Sequence, residues 1–263
     1  MIGIFDSGLG GLTVWKETVR LLPASPVVYV SDNAYCPYGL QSAGTIIDRC
    51  QKITSFLIRK GSQLIVVACN TATAVAIDTL RAGFKTPFVG MEPAVKPAAL
   101  HSRSGVVGVL ATQGTLGGRL YQDTIQRFAT HVRVMEQVGA GLVELIEEGL
   151  ADAPQTLQLL RTYIEPMIEA GADHLVLGCT HYPFLMPVIE QIVQGRMTIV
   201  DPAPAVAQQV YALWRYAGHP LQEDTVPVYR FYATGSDEAL RACCSRVVSG
   251  SASTQFYAHF DIS

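Results

Sequence analysis

Short apolar runs, each closed by small or polar residues, recur along the chain with longer amphipathic stretches between them. They are Ile2-Gly3-Ile4-Phe5, 27–30, 64–68, Phe88-Val89-Gly90, 106–112, 132–135, Leu175-Val176-Leu177, 197–201 and 228–233. Runs bounded in this way read as strands buried on both faces. The intervening stretches carry apolar residues at helical spacing. Leu12, Trp15, Val19 and Leu22 share one face, as do Ile46, Cys50, Ile53 and Leu57. Leu157, Leu160, Ile164, Met167 and Ile168 form another stripe, and Leu185, Val188, Ile189 and Ile192 a fourth. Further helices are predicted from 70 to about 80, over 142–149, 206–216 and 238–247. Strand and helix alternate, which predicts an α/β fold with mostly parallel sheets.

The pattern restarts near the middle. Val106-Val107-Gly108-Val109 echoes Ile2-Gly3-Ile4-Phe5 with a shift of 108 − 3 = 105 residues. Two apolar runs that end in cysteine, at Cys69 and Cys179, are related by 179 − 69 = 110. Together these shifts predict two similar domains, each a mostly parallel sheet flanked by helices. Residues 1–95 with 207–263 would form the first and 96–206 the second. Glu92-Pro93 to Pro97 reads as a crossing linker. The tail would return to the first domain, with one strand at 228–233.

Composition narrows the function. The 263 residues are 49% hydrophobic, enough for a substantial core, and the net charge is 19 − 22 = −3. No basic run interleaved with aromatics is present, so nucleic acid is not an expected partner. There is no bilayer-length apolar run and the start lacks signal-peptide character, so a cytoplasmic protein with no membrane partner is expected. The six cysteines, at 36, 50, 69, 179, 243 and 244, form no Cys-x-x-Cys pair, which leaves no zinc pattern. Cys50 falls on an apolar helix stripe and reads as core, and Cys36 beside Pro37 as incidental. His101, His131, His174, His219 and His259 read as surface or capping residues.

Candidate chemistry gathers where strands end, the place ligands occupy in open α/β sheets. Gly178-Cys179-Thr180-His181 offers a thiol with an imidazole two residues on. Cys69-Asn70-Thr71 has the same grammar, with Asn70 or Thr71 placed to cap the following helix. At such a helix start a thiolate is favoured. Asp6-Ser7-Gly8-Leu9-Gly10-Gly11 ends the first strand; its glycines fail the dinucleotide fingerprint, since Thr13 stands where the last should be. An acid, a hydroxyl and free amides suit an amino-acid ligand instead. Two thiols at matched positions suggest that they act on one substrate from opposite sides.

With these residues assembled, the chain resembles the cofactor-independent glutamate racemases, which make D-glutamate for bacterial peptidoglycan. The stretches that carry the resemblance are FDSGLGGLTV at 5–14, CPYG at 36–39, VVACNTATA at 66–74 and LGCTHYPFL at 177–185. It implies that Cys69 and Cys179 are the acid/base thiols in a cleft between the two domains, aided by Asp6 and His181. It places Asp6, Ser7, Tyr38, Gly39, Asn70, Thr71, Thr180 and His181 around the glutamate substrate. Glu147, adjoined by Glu148, would support His181. Val138-Gly139-Ala140-Gly141 departs from the Cys-Pro common in the family. No metal and no pyridoxal phosphate is implied. Dimers are common in the family, so a homodimer is compatible, although the sequence shows no interface signature. Some relatives carry an N-terminal extension linked to activation by a peptidoglycan precursor; here the first strand begins at Ile2, which reads against that regulation. The alternatives are an aspartate or hydantoin racemase or a maleate isomerase, a hydrolase using Cys179 and His181 alone, and a non-catalytic amino-acid binding module.

Overall fold

A computed structural model of the chain describes residues 1–219, 227–247 and 253–262. In chain order its elements are β1 (Ile2–Asp6), α1 (Leu12–Leu21), β2 (Val27–Ser31), α2 (Ala43–Arg59), β3 (Leu64–Val67), α3 (Asn70–Gly83), β4 (Phe88–Gly90) and α4 (Val95–His101). Then come β5 (Val106–Ala111), α5 (Gln113–Leu116), α6 (Arg119–Phe128), β6 (Arg133–Val138), α7 (Leu142–Glu147), α8 (Pro154–Glu169) and β7 (His174–Gly178). The last are α9 (Met186–Val193), β8 (Thr198–Val200), α10 (Ala203–Tyr216), β9 (Val228–Ala233), α11 (Glu238–Val247) and β10 (Ser253–Tyr257).

The chain divides into two compact units, Met1–Met91 with Ala203–Ser263, and Glu92–Pro202. Each has a wholly parallel sheet flanked by helices. The first sheet runs β10-β9-β2-β1-β3-β4 and the second β6-β5-β7-β8. The order 2-1-3-4 within the first is the order 6-5-7-8 of the second, so the two units repeat one winding. In both, the second strand lies on one side of the first and the third on the other. The chain therefore reverses its winding direction between first and third strands, and a crevice opens at their carboxyl ends.

The cores follow from the apolar runs. In the first unit β1, β2 and β3 are buried throughout. Trp15 of α1 meets Tyr229 and Phe231 of β9 edge-on, at ring-centroid distances of 5.1 and 5.4 Å. That contact fastens the C-terminal strands onto the N-terminal ones. In the second unit Val107, Val109, Ala111 and Val176 pack with Val95, Ala98 and Ala99 of α4 and with Leu116 and Tyr121. Burying each such aliphatic side chain is worth about 1.5–3 kcal/mol.

Several expectations need correction. Residues 95–101 form a helix, not an extended linker, because Val95, Ala98 and Ala99 present a small apolar face to the second sheet. Cys69, rather than Asn70 or Thr71, is the N-cap of α3. A second tail strand, β10, pairs with β9 beyond the one expected. Helix α6 went unseen because its sequence, RLYQDTIQRF, buries only Tyr121. His174 is not a surface or capping residue: its Nδ1 lies 2.8 Å from Asp173 Oδ1 at the start of β7. Among the described residues no helix is long and apolar enough to cross a membrane.

Asp173 ties the 102–104 turn to the mouth of the central strand. It accepts from Ser102 Oγ (2.8 Å) and from the amides of Arg103 (2.6 Å) and Ser104 (2.9 Å). Burial opposes its charge, but the hydrogen bonds from His174, Ser104, Ser102 and Arg103 outweigh it and hold the carboxyl well below the usual range. A carboxylate depressed in the folded state stabilises above its unfolded pKa, and the stabilisation fades as pH falls through the folded value. Asp173→Asn is expected to cost about 1–3 kcal/mol in urea unfolding at pH 7, with the deficit shrinking as pH drops below about 4.

Candidate active site

The first cluster sits where β1 and β3 end side by side, with Phe5 paired to Val67. Beyond that pair Ala68 N–H still donates to Phe5 O at 2.8 Å, which brings Cys69 alongside Asp6 and Ser7. Asp6 is fully buried, and its Oδ2 accepts from the Gly11 amide at 2.9 Å and the Gly8 amide at 3.4 Å. The glycine turn is thereby wrapped around the carboxylate. The Cys69 thiol donates to Ser7 Oγ at 3.9 Å, and its sulfur accepts from Ala72 N–H at 3.4 Å in the first turn of α3. A sulfur used as an N-cap sits in the positive end of a helix dipole, which favours its thiolate. Asn70 and Thr71 are buried beside it; Asn70 Nδ2 donates to Met91 O at 3.4 Å, while its Oδ1 is a buried acceptor that no donor reaches. Buried acceptors of that kind are uncommon and collect at functional positions.

The second cluster occupies the equivalent place, where β5 and β7 end together. Gly178 is required there: a Cβ would lie 2.5 Å from that of Ala111. Cys179, Thr180 and His181 follow, all buried. His181 Nδ1 lies 3.8 Å from Cys179 Sγ, and its Nε2 lies 2.7 Å from Glu147 Oε1 at the end of α7. Glu147 is the partner, and Glu148 points to solvent. With Glu147 accepting the Nε2 proton, Nδ1 of a neutral ring turns its lone pair toward the thiol. Behind them Tyr182 is fully buried; burial first, and then the charge of Cys179, hold its hydroxyl far above the usual phenol pKa.

The model for the Asp/Glu/hydantoin racemase family matches residues 2–210. The chain belongs to that family. Among the racemases it is similar to, the glutamate racemase of a Roseiflexus strain is 53% identical over 210 residues, 80% of this chain and 77% of that one. The glutamate racemase of Ectopseudomonas mendocina is 46% identical over 244 residues, 92% of each chain. The crystal structure of Escherichia coli glutamate racemase in complex with L-glutamate and the activator UDP-MurNAc-Ala matches with a TM-score of 0.83 at 33% identity, over 98% of this chain and 97% of that one.

The racemase fold places Tyr38 and Gly39 in a short 3-10 turn, Tyr38–Leu40, but does not leave the Tyr38 ring at the surface. The ring is buried and its hydroxyl donates to Asp32 Oδ2 at 2.6 Å. Arg49 of α2 clasps the same carboxylate, Nε to Oδ2 at 3.0 Å and Nη2 to Oδ1 at 2.7 Å. Tyr35 lies over the guanidinium, 4.2 Å from its carbon to the ring centroid. The turn carrying Gly39 is thus anchored on a buried ion pair. Burial, with Cys50 and Asp32 nearby, pushes the Tyr38 hydroxyl far up; burial likewise raises the Cys50 thiol, which is inert core.

Asp32 and Arg49 were missed on the sequence. The available signal was Arg49 itself, a charge lying within the apolar stripe that contains Ile46, Cys50 and Ile53. Arg49→Met strands a carboxylate in the core and is expected to cost about 3–5 kcal/mol in denaturant unfolding. Adding Asp32→Asn to it should recover much of that loss.

Proposed function

We propose that this racemase interconverts L- and D-glutamate without a cofactor, Cys69 and Cys179 serving opposite faces of Cα. The observation that carries the reading is the repeat: each unit sets one thiol at the carboxyl end of its third strand, beside the first. Each thiol has its own activating group. Identity of 46–53% to two glutamate racemases supports glutamate. Six free cysteines suit a reducing, cytoplasmic setting. D-Glutamate made there would supply peptidoglycan synthesis.

In one direction the thiolate takes the Cα proton. The C–H bond breaks, an S–H bond forms, and the electron pair spreads onto the α-carboxylate. The opposite thiol then gives its proton to the other face and is left as thiolate. In the reverse direction the roles exchange. The helix start at Asn70 favours a charged Cys69, to which the Ser7 hydroxyl would turn and donate. His181, held by Glu147, receives or returns the proton of Cys179. Asp6 steadies the glycine turn and the first thiol, and Ser7, Gly39, Asn70, Thr71 and Thr180 line the substrate, with Tyr38 acting through the turn it anchors. Acid–base catalysis contributes about 10²–10⁴-fold, so hydrogen bonds to the developing carbanion must add the rest.

In deuterated water, L-glutamate should yield D-glutamate carrying deuterium at Cα. Either Cys69→Ser or Cys179→Ser is expected to lower turnover by about 10²–10⁴-fold. Faster turnover of L-aspartate than of L-glutamate would overturn the substrate assignment. Full racemisation by Cys69→Ser would overturn the two-thiol mechanism.

A further inference from the structure

Gly139 has no side chain, and the structure shows what fills the space beside it. An ideal Cβ at Gly139 would lie 2.2 Å from Tyr182 Oη and 2.9 Å from its Cζ. The Tyr182 hydroxyl occupies that position and donates to Gly139 O at 3.3 Å. Gly139 O also accepts from Leu142 N–H at 3.3 Å, in the turn that opens α7. Tyr163 Oη holds the next carbonyl, Ala140 O, at 2.9 Å.

These contacts close a ring. The segment from Gly139 through α7 meets the segment after β7 twice, once where Glu147 reaches His181 and once where Tyr182 reaches Gly139. A single tie between two segments leaves them free to pivot, and a second tie removes the pivot. Tyr182 N–H donates to Cys179 O at 3.1 Å, so the same residue is also fixed to the thiol's own backbone. Burial keeps the Tyr182 hydroxyl protonated and a donor throughout the working pH range.

We infer that Tyr182, seated in the space left by Gly139, is a positioning residue that holds Glu147 on His181 and so fixes the imidazole against Cys179. The inference rests on the racemase reading of this cluster. It assigns work to Gly139, where any side chain would collide with the hydroxyl, and to a tyrosine that needs no contact with substrate.

The test is a double-mutant cycle with a spectroscopic arm. Tyr182→Phe keeps the ring and removes the tie. It is expected to lower kcat/KM about fivefold, the scale of one modest hydrogen bond, with KM within about twofold and the loss equal in both directions. In a Glu147→Gln background the same change should cost less than about twofold, because the group it positions is already gone. An equal loss in both backgrounds, or a lowered Tm with unchanged kcat/KM, would overturn the inference. Gly139→Ala drives a methyl into the hydroxyl and should be more damaging, with partial recovery in Gly139→Ala/Tyr182→Phe; no recovery would count against the fit described. The His181 imidazole N–H resonance, recognised by its loss in Glu147→Gln, should shift in Tyr182→Phe, and an unmoved resonance would overturn the positioning role. That reading needs no turnover. If the wild-type chain fails to racemise glutamate, the function falls while the resonance still decides the positioning.

Discussion

Everything functional here depends on one constraint of parallel sheets: third strand beside first, with the second on the far side. That arrangement leaves the ends of β1 and β3, and of β5 and β7, without a connection crossing directly over them. Asp6, Ser7 and Cys69 share one such place, and Cys179, Thr180 and His181 the other. Strand interiors supply only apolar burial. The chemistry is confined to the first residues past the last ladder hydrogen bond, where backbone amides and helix starts are available.

The two units solve the same electrostatic problem with different means. Under the proposed mechanism each sulfur carries charge in turn and needs compensation close by. At Cys69 it comes from a helix start and a hydroxyl, groups fixed by the fold and without a proton balance of their own. At Cys179 it comes from an imidazole backed by a carboxylate, a pair that can carry the proton itself. The first arrangement is insensitive to side-chain rotation, whereas the second depends on two long side chains meeting correctly. The denser bracing of the second cluster, by Tyr163 and Tyr182, matches that need. Asp32 and Arg49 brace the first unit's Tyr38–Leu40 turn in a comparable way.

Much of this was legible in the chain. Strands buried on both faces announce themselves as unbroken apolar runs, and both cysteine loops stand at the ends of such runs. Glu147 could be named only through resemblance, and its adjacency to Glu148 was resolved by the helical turn, which sends one carboxylate inward and the other out. The rest was hidden for physical reasons. The edge strand β10 mixes polar and aromatic residues and loses the buried-strand signature. Helix α6 hides little apolar surface. The clasp of Arg49 on Asp32 and the meeting of Tyr182 with Gly139 join residues far apart along the chain, so no local pattern encodes them. The glycine at 139 was visible, but its meaning required the tyrosine that fills the space beside it.

The first unit is discontinuous, and this has a consequence for biosynthesis. Its strand β2 acquires the neighbour β9 only after residues Glu92–Pro202 have been made. At roughly 5–20 residues per second on a ribosome, the nascent sheet waits on the order of 7–30 s for β9, with an apolar, unpaired edge exposed. The inserted unit, contiguous in the chain, acquires all its strands within that interval. Cells making this protein quickly would therefore find its N-terminal half the greater burden on their chaperones until β9 shields that edge.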